Sequence, residues 1–413
     1  MIELFRTDHV LVRSIPSQDT RRWVVTFDNF GIGPGFDRPG FGQGFLQASG
    51  ISAIHVMGVG DDWYQYPEMV EAMAAVRAAV QGAERVMTYG SSMGGYAALR
   101  FAEGAGANAV LALSPQYSIN PALAPFEHRW SQASGRISWL PAFETPLKTQ
   151  ATPVVVHDSC IEDRLHVEMI RKDIAIQSIR LPYGGHPVTT SLAEMGQLKP
   201  LVFQTLSGEL DPAAFERQAR SLRRRSPSYL GNLAMAQPPH RVGLALSLAR
   251  QAFDVAPHSD LARTCLARMQ SRQGLHEEAI ATMEALAGPQ ASEPYRVQFA
   301  EVMAEAGELE RAIALAEEIV TQAPGEAHLL AWKGHLHWRN YEPEAAMDLV
   351  RQAQAIDPLN PHFTVTIEAY EAAIRAEEAE AKDQARSLRP RPLGQLLRDL
   401  GRKLSGNASS RVK

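Results

Sequence analysis

The sequence has little cysteine and no long hydrophobic run. Its 413 residues include only two cysteines, Cys160 and Cys265, which argues against a disulfide framework and favours a reducing compartment. No apolar stretch approaches the roughly 20 residues that span a bilayer, and the N-terminus shows no basic segment followed by an apolar run. We therefore expect no transmembrane segment, no signal peptide and a cytoplasmic location.

The chain also lacks a strong charge of either sign. It has 41 Lys and Arg against 46 Asp and Glu, a net charge of −5, so we expect no nucleic-acid partner. The glycine-rich stretch 29–44 lacks the spacing of a phosphate-binding loop, because Phe36 and Phe45 stand where the third glycine is needed. We predict no cofactor there. Residues 33–44 could also be only a flexible, glycine-rich surface loop without a functional role.

A Gly-Ser-Ser-Met-Gly-Gly-Tyr stretch lies between a predicted strand and a predicted helix. A Gly-x-Ser-x-Gly motif that follows a strand and precedes a helix is typical of a nucleophile elbow. Gly90 and Gly94 flank Ser92 at −2 and +2, where they leave room for neighbouring backbone to pass close. We predict that Ser92 is a nucleophile and that the N–H of Met93 contributes to an oxyanion hole. A plain tight turn is the alternative.

Strand and helix patterns alternate regularly as far as residue 207. This alternation predicts an α/β fold, a doubly wound and mostly parallel sheet with helices on both faces. In such a sheet the loops after the strands meet at one edge. Ser92, the acids after the strand at 153–157 and His186 all follow predicted strands, so we expect them to converge. The irregular, aromatic-rich segment 116–152 is predicted to form a small cap over them.

The order of these motifs makes residues 1–207 similar to the α/β-hydrolases, in which the nucleophile, the acid and the histidine follow one another along the chain. The resemblance implies that Ser92 is the nucleophile and His186 the general base. Asp163 precedes a helix much as the family's acid does. Asp158 and Glu162 are the alternative acids, and Asp163 has an alternative role as a helix N-cap.

Two further assignments concern the loops. The resemblance implies that the loop after an early strand supplies a second oxyanion N–H, from Asn29 or Phe30. An alternative to the catalytic role of the acids after residue 157 is a metal site formed by His157, Asp158, Asp163 and His166. Because that cluster lacks a recognised ligand spacing, we predict no metal.

The second half of the chain contains an internal repeat. Alanine recurs at intervals of 34, 33 and 34 residues, at Ala245, Ala279, Ala312 and Ala346. Gly274 and Gly307 precede two of them by five residues, with Tyr341 at the matching place in the last unit. This period resembles tetratricopeptide (TPR) repeats and implies an all-α solenoid.

The predicted boundaries follow from these patterns. The basic stretch 208–225 is predicted to be a solvated linker, and 226–386 a TPR-like domain with a capping helix. The basic segment 387–413 is predicted to be a partly disordered tail.

Together these features predict a serine hydrolase of the esterase or thioesterase kind, acting on a small-molecule or carrier-bound acyl substrate. The repeats imply a protein partner or self-association. The alternatives are an acyltransferase or deacylase acting on a glycan or carrier-bound group, and a catalytically silent scaffold. The sequence identifies neither the substrate nor the partner.

Overall fold

Apolar strand segments of the first half assemble into one twisted sheet. The structure is a computed structural model that describes residues 1–286 and 288–387, so the predicted tail lies almost wholly outside the described residues. Within this part of the chain the strands are β1 (Ile2–Arg6), β2 (Val10–Ile15), β3 (Arg22–Phe27), β4 (Ser52–Gly58), β5 (Arg85–Ser91), β6 (Ala109–Leu113), β7 (Val154–His157) and β8 (Gln177–Arg180).

The strand order is β1-β2-β4-β3-β5-β6-β7-β8. β2 runs antiparallel to both of its neighbours, whereas β4, β3, β5, β6, β7 and β8 pair in parallel. The sheet is therefore mostly parallel, as predicted, and the loops after β3, β5, β6, β7 and β8 lie along its carboxyl edge. β5 lies in the interior of the sheet, between β3 and β6.

Helices cover both faces of this sheet. They are α1 (Gln43–Ala48), α2 (Met69–Ala79), α3 (Met93–Arg100), α4 (Ser131–Arg136), α5 (Asp163–Asp173), α6 (Thr189–Glu194), α7 (Leu198–Ser207) and α8 (Pro212–Leu222). Apolar residues of α2, α3 and α5 are buried against one face, and those of α1, α6, α7 and α8 against the other. We call residues 1–222 the sheet domain.

The segment 208–225 differs from the predicted linker. Residues 212–222 form helix α8, which is capped by Asp211. The Asp211 side chain accepts hydrogen bonds from the N–H groups of Ala213 and Ala214. Phe215 and Ala219 are buried in the core of the sheet domain. Five of the 18 residues of this segment are arginine, but its apolar residues recur at helical spacing and pack against the sheet.

Antiparallel helix pairs make up the second half. They are α9 (Pro227–Met235) with α10 (Val242–Val255), α11 (Asp260–Arg272) with α12 (His276–Met283), α13 (Glu293–Glu305) with α14 (Leu309–Gln322), and α15 (Ala327–Arg339) with α16 (Pro343–Ile356), followed by α17 (Pro361–Ser387). We call α9–α17 the helical-repeat domain. None of the helices in the described residues is long and apolar enough to cross a bilayer.

The repeat positions read from the sequence are equivalent in the structure. The four alanines at the 33- or 34-residue period are fully buried at 0% exposure. Gly274 and Gly307 adopt φ of 81° and 88°, and Tyr341 adopts a φ of 60°. Tyr341 therefore takes the left-handed turn conformation that glycine takes in the earlier units.

Hydrogen bonds join the helical-repeat domain to the sheet domain both near its start and near its end. Near its start, Asn232 Nδ2 on α9 donates to the carbonyl of Tyr183, 3.2 Å away, in the loop after β8. Near its end, Ser131 Oγ on α4 donates to Asp357 Oδ2, 2.6 Å away, and both side chains are buried. Both contacts involve segments that also hold the candidate active site.

Candidate active site

A sharp turn after β5 presents Ser92. Its backbone has φ 54° and ψ −119°, a strained combination for a residue other than glycine. A Cβ at Gly90 would lie 2.1 Å from the carbonyl oxygen of Gly94, and a Cβ at Gly94 would lie 2.5 Å from that of Phe27. Both positions therefore require glycine because backbone passes too close for a side chain. Met93 is the first residue of α3, so its N–H has no acceptor within the helix.

Ser92, His186 and Asp163 lie in contact. Ser92 Oγ is 2.9 Å from His186 Nε2, and His186 Nδ1 is 2.9 and 3.0 Å from the two carboxylate oxygens of Asp163. A carboxylate only accepts hydrogen bonds, so Nδ1 carries the ring proton and Nε2 is left as the acceptor for the serine hydroxyl. This is the tautomer that a general base needs.

The two alternative acids lie elsewhere. Asp158 follows β7, but its carboxylate accepts the backbone N–H groups of Cys160, Tyr183 and Gly185 at 2.8 to 3.0 Å. It therefore fixes the loop that carries the histidine and does not contact the imidazole. Glu162 is exposed at the start of α5. Asp163 is the first residue of that helix and is 1% exposed, so it does not occupy the N-cap position.

A buried ionic network holds Asp163. Arg129 Nη1 donates to Asp163 Oδ1 at 2.9 Å, and its Nε donates to Glu127 Oε1 at 3.0 Å. His166 Nε2 lies 2.8 Å from Glu127 Oε2. Burial alone would raise the pKa of Asp163, but the hydrogen bond from His186 and the charge of Arg129 outweigh it and lower the pKa. The carboxylate is therefore kept ionised beside the imidazole.

Aromatic side chains form a wall next to this histidine. The ring centroid of Trp130, in the cap segment, is 5.1 Å from that of His186 and 5.8 Å from that of Trp63. Phe30 lies 5.5 Å from Trp63. The predicted cap therefore contributes one ring directly to the site, whereas Phe143 packs on Phe101 in the core.

The loop after β3 passes beside the elbow. A Cβ at Gly94 would lie 2.9 Å from the carbonyl oxygen of Asp28, which brings the segment of Asn29 and Phe30 next to the start of α3. Arg38 then ties the glycine-rich stretch down, since it forms an ion pair with Asp28 at 2.9 Å and donates to the carbonyl of Gly33 at 2.9 Å. These bonds argue against the alternative interpretation that residues 33–44 form a flexible surface loop. The oxyanion role of Asn29 or Phe30 remains a prediction.

Three of the four side chains of the alternative metal site have separate partners. Asp163 contacts His186 and Arg129, and Asp158 binds loop backbone, as described above. His166 accepts the N–H of Tyr117 at 3.2 Å through Nδ1 and contacts Glu127 through Nε2. In residues 1–286 and 288–387, no group of three or more His, Cys, Asp or Glu side chains is arranged to hold a metal ion.

Sequence reasoning missed several residues of the site, among them Gln116 and Arg129. Gln116 Nε2 donates to Ser92 Oγ at 3.0 Å, and Gln116 is 1% exposed. Its position just after β6, at the same sheet edge as the elbow, is a signal that could have identified it. Arg129 lies in the irregular cap, where no periodicity or strand end marks it, so only the tertiary structure identifies it.

Comparisons with known proteins give partial similarities. No family model and no curated protein matches the chain. Among solved structures, a thermophilic TPR protein of Thermus thermophilus is 22% identical with a TM-score of 0.32, covering 44% of this chain and 99% of its own. The TPR protein YrrB, described as having an unusual peptide-binding site, is 17% identical with a TM-score of 0.28, over 42% of this chain and 90% of its own.

A third similar structure is the capsule O-acetyltransferase of Neisseria meningitidis serogroup A. It is 11% identical with a TM-score of 0.37, covering 49% of this chain and 93% of its own. Because all three TM-scores are below 0.5, functional assignment depends on the geometry of this chain itself.

The network around Asp163 predicts an acid-dependent loss of stability. Burial alone would raise the pKa of Glu127, but hydrogen bonds from His166 and Arg129 lower it from 4.5 to about 2. Its stabilising contribution is therefore complete above pH 4.5 and is lost as the pH falls toward 2. At pH 3.5, one unit below 4.5, about 1.4 kcal/mol should be lost.

Urea unfolding of the wild type and of Glu127→Gln at pH 5.5 and pH 3.5 measures this contribution. The variant should be less stable at pH 5.5, and the difference from the wild type should narrow by about 1.4 kcal/mol at pH 3.5. Glu168→Gln, on the exposed side of α5, is the matched control and should keep the wild-type dependence. A difference of constant size at both pH values contradicts the prediction.

Proposed function

We propose that the chain is a serine hydrolase of the α/β-hydrolase type, acting on an ester or related acyl bond through Ser92, His186 and Asp163. The observation that carries this proposal is the 2.9 Å contact between Ser92 Oγ and His186 Nε2, with the other ring nitrogen on a buried carboxylate. The order of the three residues along the chain, and the strand and helix on either side of the elbow, also support the α/β-hydrolase assignment.

The proposed reaction has two halves. Ser92 Oγ attacks the acyl carbonyl carbon as its proton passes to His186 Nε2, and Asp163 stabilises the resulting imidazolium. The N–H of Met93 and one from Asn29 or Phe30 bind the developing oxyanion. Collapse expels the leaving group, which takes the proton from the imidazolium and leaves an acyl-enzyme. Water, activated by the same histidine, then releases the acid and free Ser92.

The helical-repeat domain is proposed to bind a protein partner or a second copy of the chain. Stacked helix pairs of this kind present an extended surface made of several repeats. The paired helices and their 33- to 34-residue period support this part of the proposal.

Acyl transfer to an acceptor other than water is the second candidate. Ser92 is 5% exposed, with Gln116 in contact and Trp130 against its histidine. Such enclosure restricts every acceptor, so transfer would require an acceptor that is held in place beside His186 and competes there with water. Product analysis with competing alcohols and amines separates transfer from hydrolysis.

A fluorophosphonate probe tests whether Ser92 is an activated nucleophile. The wild type should be labelled covalently, and labelling should be lost in Ser92→Ala because the attacking oxygen is gone. Ser91→Ala is the matched control, since the Ser91 hydroxyl contacts Thr189 Oγ1 at 2.7 Å and does not contact His186. It should retain labelling. A wild type that is not labelled would favour the scaffold interpretation.

Substitutions of Asp163 and Asp158 are expected to affect different properties of the protein. Asp163→Asn should lower kcat by about 10³- to 10⁴-fold, because the amide no longer fixes the imidazole tautomer. Asp158→Asn should act mainly on stability, by about 1–3 kcal/mol, through weakened bonds to the loop N–H groups. Ester hydrolysis and urea unfolding of both variants separate the effects. An unaffected Asp163→Asn enzyme would assign the acid to Asp158.

A further inference from the structure

A cleft opens between the two domains, next to the aromatic wall of the candidate active site. Its walls come from the loops after β3 and β4, from the cap around α4, and from the turn that leads into α15. The volume is about 590 Å³, which lies in the range of small-molecule sites. Glu326 and His328 are the lining residues from the helical-repeat domain, and they lie more than 200 positions along the chain from Ser92.

The side of the cleft that belongs to the helical-repeat domain is hydrogen-bonded to the cap. Gln132 Nε2 donates to the carbonyl of Gly325 at 3.0 Å, and its Oε1 accepts the N–H of Ala327 at 3.2 Å. The buried hydrogen bond from Ser131 to Asp357 fixes the next turn of the array to the same helix. Glu326, between the two residues that Gln132 binds, is therefore held facing the sheet domain.

The cleft and the candidate active site share a wall. Trp130 and Phe30 both line the cleft. The Trp130 ring lies 5.1 Å from the ring of His186, and Phe30 is a predicted source of an oxyanion N–H. The cleft therefore adjoins the candidate active site at these two side chains.

The lining indicates what could occupy the cleft. Asp61, Asp62 and Glu326 supply carboxylates, whereas Arg129 is already committed to Asp163 and Glu127. One oxygen of Asp61 accepts the N–H of Gly31 at 2.9 Å and one of Asp62 accepts the hydroxyl of Tyr66 at 2.9 Å, while Glu326 lies 3.7 Å from His328. A carboxylate has acceptor capacity beyond one such bond. Even with Arg136 as the remaining arginine of the lining, carboxylates are in excess and disfavour phosphorylated or acidic ligands. Hydroxyl groups can donate to carboxylates while the C–H face of a sugar ring packs on an aromatic ring.

We propose that this cleft binds the sugar portion of a substrate that carries a small acyl group, and that the helical-repeat domain supplies part of the binding site through Glu326 and His328. The proposal rests on the proposed hydrolase function. Ser92 is 5% exposed, so the proposal assigns the acyl group to the enclosed site and most of the contact with the substrate to the cleft.

Two acetyl esters test this assignment. Methyl 6-O-acetyl-β-D-glucopyranoside places a sugar in the cleft, whereas p-nitrophenyl acetate has no hydroxyl groups to pair with the carboxylates. In Glu326→Ala, the ratio of kcat/KM for the sugar ester to that for the nitrophenyl ester should fall by about tenfold or more, as expected for a lost hydrogen bond to a charged group. His328→Trp, which fills the cleft, should lower the same ratio.

Glu310→Ala is the matched control, because Glu310 is an exposed glutamate at the start of α14 and is not part of the cleft lining. It should leave the ratio unchanged. The inference is overturned if the wild type hydrolyses p-nitrophenyl acetate through Ser92 but does not hydrolyse the sugar ester, or if the cleft variants leave the ratio unchanged. Absence of Ser92-dependent turnover of either ester overturns the proposed function itself.

Discussion

The hydrogen bond between Ser92 Oγ and His186 Nε2 joins residues 94 positions apart, and much of the sheet domain serves to form it. The strained elbow holds the hydroxyl at the carboxyl edge of the sheet, which close backbone contacts at Gly90 and Gly94 make possible. Asp158 fixes the loop that carries the imidazole, while Asp163 orients the ring. The carboxylate of Asp163 is in turn paired with Arg129, so a continuous set of polar contacts runs from the elbow into the cap.

The helical-repeat domain belongs to the same arrangement. Its first helix contacts the backbone of Tyr183, three residues before His186, and its later turns are hydrogen-bonded to the cap next to Trp130. These contacts reach both sides of the candidate active site. The helical-repeat domain is therefore hydrogen-bonded both to the loop that carries the histidine and to a wall of the cleft.

Sequence reasoning located the parts of the site that follow strand ends, because a parallel sheet gathers those positions whatever the intervening loops do. Ser92, His186 and Asp163 could be named in this way. The contact that separates Asp163 from Asp158 could not, since both follow the same strand and only side-chain direction distinguishes them. Arg129 and Glu127 act through contacts that leave no local pattern. In 208–225 the arginines favoured a solvated linker, although the apolar residues have the helical spacing that packs α8 against the sheet. The repeat period, in contrast, correctly matched Tyr341 with the glycine turns of the earlier units.

The central claim is that Ser92 forms a covalent acyl-enzyme with the help of His186. Mass spectrometry of the intact protein, quenched soon after mixing with p-nitrophenyl acetate and followed by peptide mapping, tests it most directly. We expect one acetyl group on the peptide that contains Ser92, and no acetylation of that peptide in His186→Ala. Acetylation confined to other residues, or equal modification of Ser92 in the two proteins, would contradict the account.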